Sequence, residues 1–350
     1  MLNLIMPLLD VNLKLPTMSG EHVTIILLIF FGLFSSLELL YPRQKWPTKE
    51  LRQSYITNSL LFVANSILMS LLSISALFLL AQRYAHQGLL QNLDNPIWQA
   101  ILSFVLLDLL LYAWHWACHH FDGLWMFHRV HHNDPYLNTS TAFRIHVLEL
   151  LSTNLLKATY IWLLGIEQMM VLINEAVITF FIMFHHTNIS FKGEKLLGRL
   201  VIVPYLHLAH HSTERYEHDR NYGAVLAIWD RLFGTIIDVK PAVIGINGHS
   251  PQTLLELIKF GFYMPRATPT YQPAPANLED MIAEAAYYKA EKRNFRPGNE
   301  LLDWLEAKRE IIGLVYGDNP AINRQIKMPK RNYLNYFKLT GFNINHAIKQ

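Results

Sequence analysis

Cysteine is almost absent from this 350-residue chain, and Cys118 is the only one. An intramolecular disulfide is therefore excluded, as is a cysteine-held iron–sulfur cluster. The expected state of Cys118 is a reduced thiol on an element that faces the cytosol. Charge is scarce as well, at 16% of residues. The net charge of +3, without a basic stripe, argues against a nucleic-acid partner. No GxGxxG stands in a strand–turn–helix context, and CxxCH is missing. The chain thus carries no recognisable electron source of its own. The N-terminus lacks a basic n-region and an obvious cleavage site, so membrane targeting is expected from the apolar segments themselves.

What the chain has instead is apolar residues, 51% of the total, gathered into long blocks. The blocks cover 23–41, 55–81, 97–114, 147–164 and 168–184. A helix needs about 20 residues to cross the hydrocarbon core, which the first two meet and the last three approach. The final pair is separated only by Gly165, Ile166 and Glu167. It reads either as two tilted spans or as a hairpin that dips in and returns. The linker between the first two blocks carries Arg43, Lys45, Lys49 and Arg52, whereas 82–96 carries only Arg83. The positive-inside rule puts the first linker in the cytoplasm.

The expected fold is therefore all-α: a polytopic membrane protein of four to five apolar helices, with a cytoplasmic helical cap. Prolines at 241, 251, 265, 269, 273 and 275 mark a change of character, followed by amphipathic runs at 278–293 and 299–315 around Pro297-Gly298. The expected organisation is N-terminal membrane helices at 1–96, a catalytic region at 97–240, a proline-rich linker at 241–275 and a soluble helical region at 276–350.

Histidine is the other excess. Of 17 histidines, 11 fall into four groups: His115, His119 and His120; His128, His131 and His132; His185 and His186; His207, His210 and His211. His115 and His119 are i, i+4, and so are His128 and His132, so each pair lies on one helix face. His207, His210 and His211 copy the HxxHH of the second group. Charge and hydropathy place every group at the cytoplasmic ends of the blocks. Neutral imidazole is the commonest nitrogen ligand of first-row metals. Two HxxHH groups and one HxxxH offer eight imidazoles, more than one ion can use, so they suit two. The HExxH of zinc peptidases is absent, as is the ExxH of soluble di-iron bundles.

The stretch from Asp108 to Thr235 resembles the fatty acid hydroxylase and sterol desaturase superfamily. The likeness rests on Asp108, Tyr112, His115 and His119 in D-x3-Y-x2-HxxxH, then on LWMFHRVHHND and NTSTAFRIH, which ends in Arg144 and His146. It continues through FHHTNI, VPYLHLAHHS and NYGAVLAIWDRLFGT. The resemblance implies a di-metal membrane enzyme that oxidises unactivated C–H bonds of a lipid with O2. Its implied ligands are His115, His119, His128, His131, His132, His207, His210 and His211, with His186 as a ninth. Arg144, His146 and Glu149 would support them, and Asp108 could accept a proton from a ligand imidazole and fix its tautomer. His120 reads as a spare, His185 as a neighbour and Cys118 as packing. The family's first group usually has Arg after its first histidine, where this chain has Trp116.

The metals are expected to be two Fe ions, with zinc able to load such a site on isolation. A separate electron-donor protein or a pterin is implied, with a lipid entering from the bilayer. One variant of this reading is a pterin-dependent ether-lipid oxidase like alkylglycerol monooxygenase, but the acidic residue of that subfamily is replaced here by His120. A reading of another class is a metal transporter or sensor, which would need polar residues along blocks 23–41 and 55–81. Bis-histidine haem binding is a third, and the doubled HxxHH groups argue against it. Ile282–Ala307, with AYYKAE, FRPG and DWLEA, resembles a short bacterial domain of unknown function. That suggests a bacterial source, hence an inner-membrane location with the histidines on the cytoplasmic face.

Overall fold

The structure, a computed structural model, describes residues 19–71, 77–85, 87–248, 250–263 and 275–316. The expected extensions at 1–18 and 317–350, and Pro265, Pro269 and Pro273 of the expected linker, lie outside the described residues. Among the described residues there are helices and isolated bridges but no strand. The chain divides into two compact units, Met1–Met264 and Pro265–Gln350.

The first unit holds the five helices long and apolar enough to cross a membrane: α1 (Gly20–Leu40), α2 (Thr48–Leu71), α4 (Pro96–His120), α6 (Val147–Leu164) and α7 (Gln168–His186). They make the chain an integral membrane protein. Of the uncharged run 55–81, the described residues lie in α2, to Leu71, and in α3 (Leu77–Tyr84), which packs on α6 and α7. The remaining elements of this unit are short: α5 (Asp122–His132), α8 (Glu194–Leu197), α9 (Pro204–His210), α10 (Arg215–His218), α11 (Ile228–Leu232) and α12 (Leu254–Phe260).

Local chemistry sets the ends that matter. Asn95 caps α4 through the amide of Ile97 at 2.8 Å, with Pro96 in the first turn, where its missing N–H costs nothing. Phe121 alone separates α4 from α5, its extended backbone (φ −108°, ψ 116°) turning the chain. Gly165 ends α6 in the left-handed conformation (φ 68°). A Cβ on Gly165 would lie 2.5 Å from Gly88 N, and one on Gly88 would lie 1.9 Å from Gly165 N. Gln91 donates to Gly165 O at 2.9 Å. The α6–α7 turn is thus clasped by the 87–92 segment, backbone against backbone.

The opposite end of the helices is polar and cross-linked. Glu38 near the end of α1 accepts from Tyr55 Oη of α2, from Thr139 N and Oγ1, both at 3.0 Å, and from Asn188 N at 3.1 Å. Asp134 accepts from Ser54 (2.7 Å), Asn58 (2.9 Å) and Thr141 (2.8 Å). Residues near the end of α1, the start of α2, the end of α4, the start of α6 and the end of α7 therefore share one layer with the histidines. The last two blocks are a hairpin whose turn points away from that layer.

Residues 241–263, expected within a proline-rich linker, are instead built into this unit. Leu257 and Phe260 of α12 are buried with Leu61 and Val130. The carbonyls of Pro251 and Gln252 accept from Asn133 and Thr57. Proline lacks an N–H but keeps its carbonyl, so it interrupts helices without preventing packing.

The second unit is described from Pro275. α13 (Pro275–Lys292) and α14 (Glu300–Tyr316) pack around Leu278, Ile282, Ala286, Trp304 and Ala307. Lys289 reaches Glu310 (2.8 Å), and Arg293 reaches Asp303 (2.5 Å).

Replacing Gly88 by Ala should cost more than about 2 kcal/mol, because backbone on both sides cannot yield. A clear fall in the thermal midpoint of the detergent-solubilised protein is the expected result; an unchanged midpoint would mean that the clasp is loose.

Candidate metal centre

Helical spacing sorts the histidines in an unexpected way. His115 and His119 of α4, His128 and His132 of α5, and His210 of α9 form one group. His131 of α5, His186 of α7, His207 of α9 and His211 just after it form a second. Within each group the donor atoms lie within 4.8 Å of one another. In each HxxHH the i, i+4 pair serves one group and the remaining histidine the other. α5 gives two to the first group and one to the second, and the α9 motif does the reverse. The groups touch where His132 stacks on His211, with ring centroids 4.6 Å apart, and His207 on His210 at 5.0 Å.

Hydrogen bonds fix which nitrogen of several rings is bare. Nδ1 of His115 donates to Tyr222 O (2.8 Å), Nδ1 of His210 to Arg220 O (2.7 Å) and Nδ1 of His186 to Ile182 O (2.7 Å). Nδ1 of His128 is bonded to Glu149 Oε1 (2.7 Å), and Nδ1 of His119 to Asp219 Oδ1 (3.1 Å). The carbonyls can only accept, and so can an ionised carboxylate, so these rings carry the proton on Nδ1 and a lone pair on Nε2. Yet His115 Nε2 and His128 Nε2 face each other at 3.1 Å. Two lone pairs at that distance repel unless a cation lies between them.

The same spacing recurs in the second group: His186 to His131 (3.0 Å), His207 to His186 (2.9 Å) and His211 to His207 (3.1 Å). Metal–imidazole bonds of about 2.1 Å at right angles put neighbouring nitrogens about 3.0 Å apart. Buried nitrogens without any hydrogen-bond partner include Nε2 of His119 and His210 and both nitrogens of His132. Burial, reinforced by neighbouring imidazoles, holds His131, His132, His207, His210 and His211 well below the usual histidine range. They are neutral, as ligands must be. The donor set fits metal binding at both groups.

The supporting residues have different parts. Glu149 touches a ligand candidate directly. Arg144 is fully buried and donates to Val130 O (3.1 Å), Asn133 O (3.1 Å) and Asn58 Oδ1 (3.0 Å), which fixes the end of α5. His146 caps α6 at Leu148 N (3.2 Å) and meets Ile258 O (3.1 Å), touching no other histidine. Asp108 requires correction. It accepts from Val225 N (2.9 Å), Leu226 N (3.1 Å) and Trp229 Nε1 (2.8 Å), and not from an imidazole. Seven residues along a helix are about 10 Å, too far to reach the ring of His115.

His120 is exposed and stacks on Trp116 at 4.2 Å. His185 packs on His207 at 4.0 Å and belongs to neither group. Cys118 is buried close to His128 and Glu149, so it borders the centre. Asp219, His218 and Tyr222 are additions to the residues expected from sequence. His218 stacks on Trp125 (5.2 Å), and Tyr222 packs on His119 (5.1 Å). No periodic rule selects Asp219 from a polar loop that also holds Glu214 and Glu217. Its role follows only from the fold.

Carboxylates back two rings of the first group and none of the second. Titration of the metal-free protein with Fe(II) or Zn(II) should therefore show two unequal steps. Asp219→Asn should weaken the tighter step by about 10- to 100-fold and leave the other in place. A single class of sites, or an unchanged tight step, would contradict this assignment.

Comparison with known proteins agrees with the geometry. Residues 100–235 match the fatty acid hydroxylase family, and residues 277–312 match a protein family of unknown function, DUF2934. The alkylglycerol monooxygenase of Danio rerio is 32% identical over 160 residues, 43% of this chain and 33% of that protein. Ornithine lipid hydroxylase OlsE of Rhizobium tropici is 30% identical over 199 residues, 56% of this chain and 60% of that protein. The human alkylglycerol monooxygenase is 29% identical over 181 residues, 49% and 37% respectively. The chain thus spans between a third and three fifths of the length of these relatives. No solved structure matches. Every clustered histidine lies inside the stretch, residues 100–235, that is similar to the fatty acid hydroxylase family, and both groups are assembled by it.

Proposed function

We propose that this protein is a membrane-bound di-iron oxygenase that hydroxylates or desaturates a lipid with O2 and electrons supplied from outside. The observation that carries the reading is the bare Nε2 of His115 facing the bare Nε2 of His128 at 3.1 Å, in a layer where five apolar helices end. The match of residues 100–235 to the fatty acid hydroxylase family and the names of the relatives, a lipid hydroxylase and alkylglycerol monooxygenases, support it. His115, His119, His128, His132 and His210 would hold one ion, and His131, His186, His207 and His211 the other. Bound iron would supply the redox chemistry with O2 that removes hydrogen from an unactivated carbon.

The chain's own residues set the conditions for that chemistry. Burial of the imidazoles excludes bulk water and keeps them neutral. Glu149, Asp219 and the backbone carbonyls aim the rings, so little reorganisation is needed when charge develops. The apolar spans deliver substrate from the bilayer. The positive linker 42–54 supports a cytoplasmic position for the histidine layer, where a separate donor protein or a pterin would supply electrons. The DUF2934 segment supports a bacterial inner membrane as the location.

The alkylglycerol monooxygenase relatives favour a pterin-dependent ether-lipid reaction as the second reading. His120, turned outward onto Trp116, departs from it at the position that is acidic in that subfamily.

Lipids from cells with and without the gene, grown under 18O2, should differ by one labelled oxygen or by two hydrogens. His131→Ala should lower the product by at least about 100-fold, consistent with loss of a ligand from a centre that works as a unit. Protein purified without iron or zinc, or an active His131→Ala variant, would overturn the reading.

A further inference from the structure

One ion pair lies within the spans and has no part in the metal centre. Lys157 Nζ of α6 meets Glu175 Oε2 of α7 at 2.7 Å. A charge inside the bilayer is costly, and such residues face a bundle interior or a polar cavity and mark functional paths.

Their position on each helix is informative. Lys157 follows Glu149 and Thr153 at steps of four, and Glu149 is bonded to His128. Glu175, Thr179, Ile182 and His186 fall at i, i+4, i+7 and i+11, so Glu175 shares a face with a metal-site histidine. Both faces point inward. The lipid side of α6 is marked by Leu155, 70% exposed, and Trp162, 52% exposed, on the other side of the helix from Lys157. Yet the inward-facing pair is not sealed: the Lys157 side chain is 13% exposed and that of Glu175 30%. Just beyond, Tyr160 and Ile178 are buried in the core. The pair is therefore incompletely covered, on the helix faces that carry Thr153 and Thr179 in the direction of the histidines.

As a mere lock for the hairpin the pair is a poor choice, since apolar side chains of similar volume hold as well or better without desolvating charge. Left partly open, it can exchange part of its mutual bonding for a ligand. A hydroxyl satisfies both partners, because its oxygen accepts from Lys157 and its proton goes to Glu175. A carbonyl would leave Glu175 unserved, and a plain alkyl tail would serve neither. By helix rise, Lys157 lies about 12 Å from Glu149 and Glu175 about 16 Å from His186.

We propose that the Lys157–Glu175 pair is a subsite that selects a lipid carrying a hydroxyl about 12–16 Å from the carbon presented to the histidine centre. This rests on the reading of the protein as a lipid oxygenase and adds the class of lipid and the group recognised. The hydroxyl is bound and not transformed at this subsite. The pair would act by positioning, setting which carbon reaches the centre.

The test uses the full-length, metal-loaded protein in detergent, with stearyl alcohol and octadecane as probes and native mass spectrometry as the binding readout. Wild-type protein should retain stearyl alcohol about tenfold or more better than octadecane. Lys157→Met/Glu175→Leu should bind the two alike, with its iron content and melting temperature kept. Equal retention by the wild type, which needs no variant to fold, overturns the proposal. So does a double variant that keeps the preference, because the pair is then only a helix lock. Failure of the oxygenase reading shows separately, as unoxidised probe with the wild type while the binding preference persists.

Discussion

The histidine layer of the first unit turns on one repulsion: the Nε2 lone pairs of His115 and His128 turned towards one another at 3.1 Å. A buried polar atom without a partner costs about 1–3 kcal/mol, so the two groups are unfavourable in themselves. They persist because the rest of the fold over-determines them. Glu149 and Asp219 hold His128 and His119 from behind. The carbonyls of Tyr222, Arg220 and Ile182 do the same for His115, His210 and His186. A cation at each group would reverse the sign of the interaction, and the donor sets fit one.

The carbonyls must themselves be held, and this explains several buried acids away from the centre. Asp230 accepts from Tyr222 N and Gly223 N, both at 2.8 Å, and from Thr235 Oγ1 at 2.7 Å. Asp108 ties the next part of the same loop to α4. The loop that supplies the acceptor for His115 is thereby anchored to the helix that carries His115. Gly223 permits the close passage, since a Cβ there would meet Ile202 at 2.8 Å. Glu38 and Asp134 serve the other side, where α1 and α2 meet the segment that leads into α6. Buried away from water, each of these acids is matched by several donors.

Much of this was legible in sequence, and the parts that were not share a cause. Periodicity reports which residues share a face of one helix, so HxxxH and HxxHH announced clustered histidines. It does not report how faces of different helices meet, and so it could not divide His131 from His132 or His210 from His211 between two groups. Asp108 shows the complementary error. It shares a face with His115, but facing the same way is not proximity when two turns of helix intervene. Asp219 lies in a polar loop with no period to mark it. The packing of 241–263 was hidden for the opposite reason: proline punctuation outweighed the few residues, such as Leu257 and Phe260, that decide the packing.

The unequal donor sets give the centre a direction. If all five donors of the first group and all four of the second held an ion, the second would be left with more open positions. Two of the five are backed by carboxylates, which makes them the more basic donors. The group of four draws His186 from the end of α7, the helix whose inward face also carries Thr179 and Glu175. Glu149, which supports the group of five, stands at the start of α6 on the face that carries Thr153 and Lys157. Both groups are therefore reached from the same α6–α7 hairpin, which also carries the Lys157–Glu175 pair. A molecule arriving along that hairpin would meet the group of four on one side and the support of the group of five on the other.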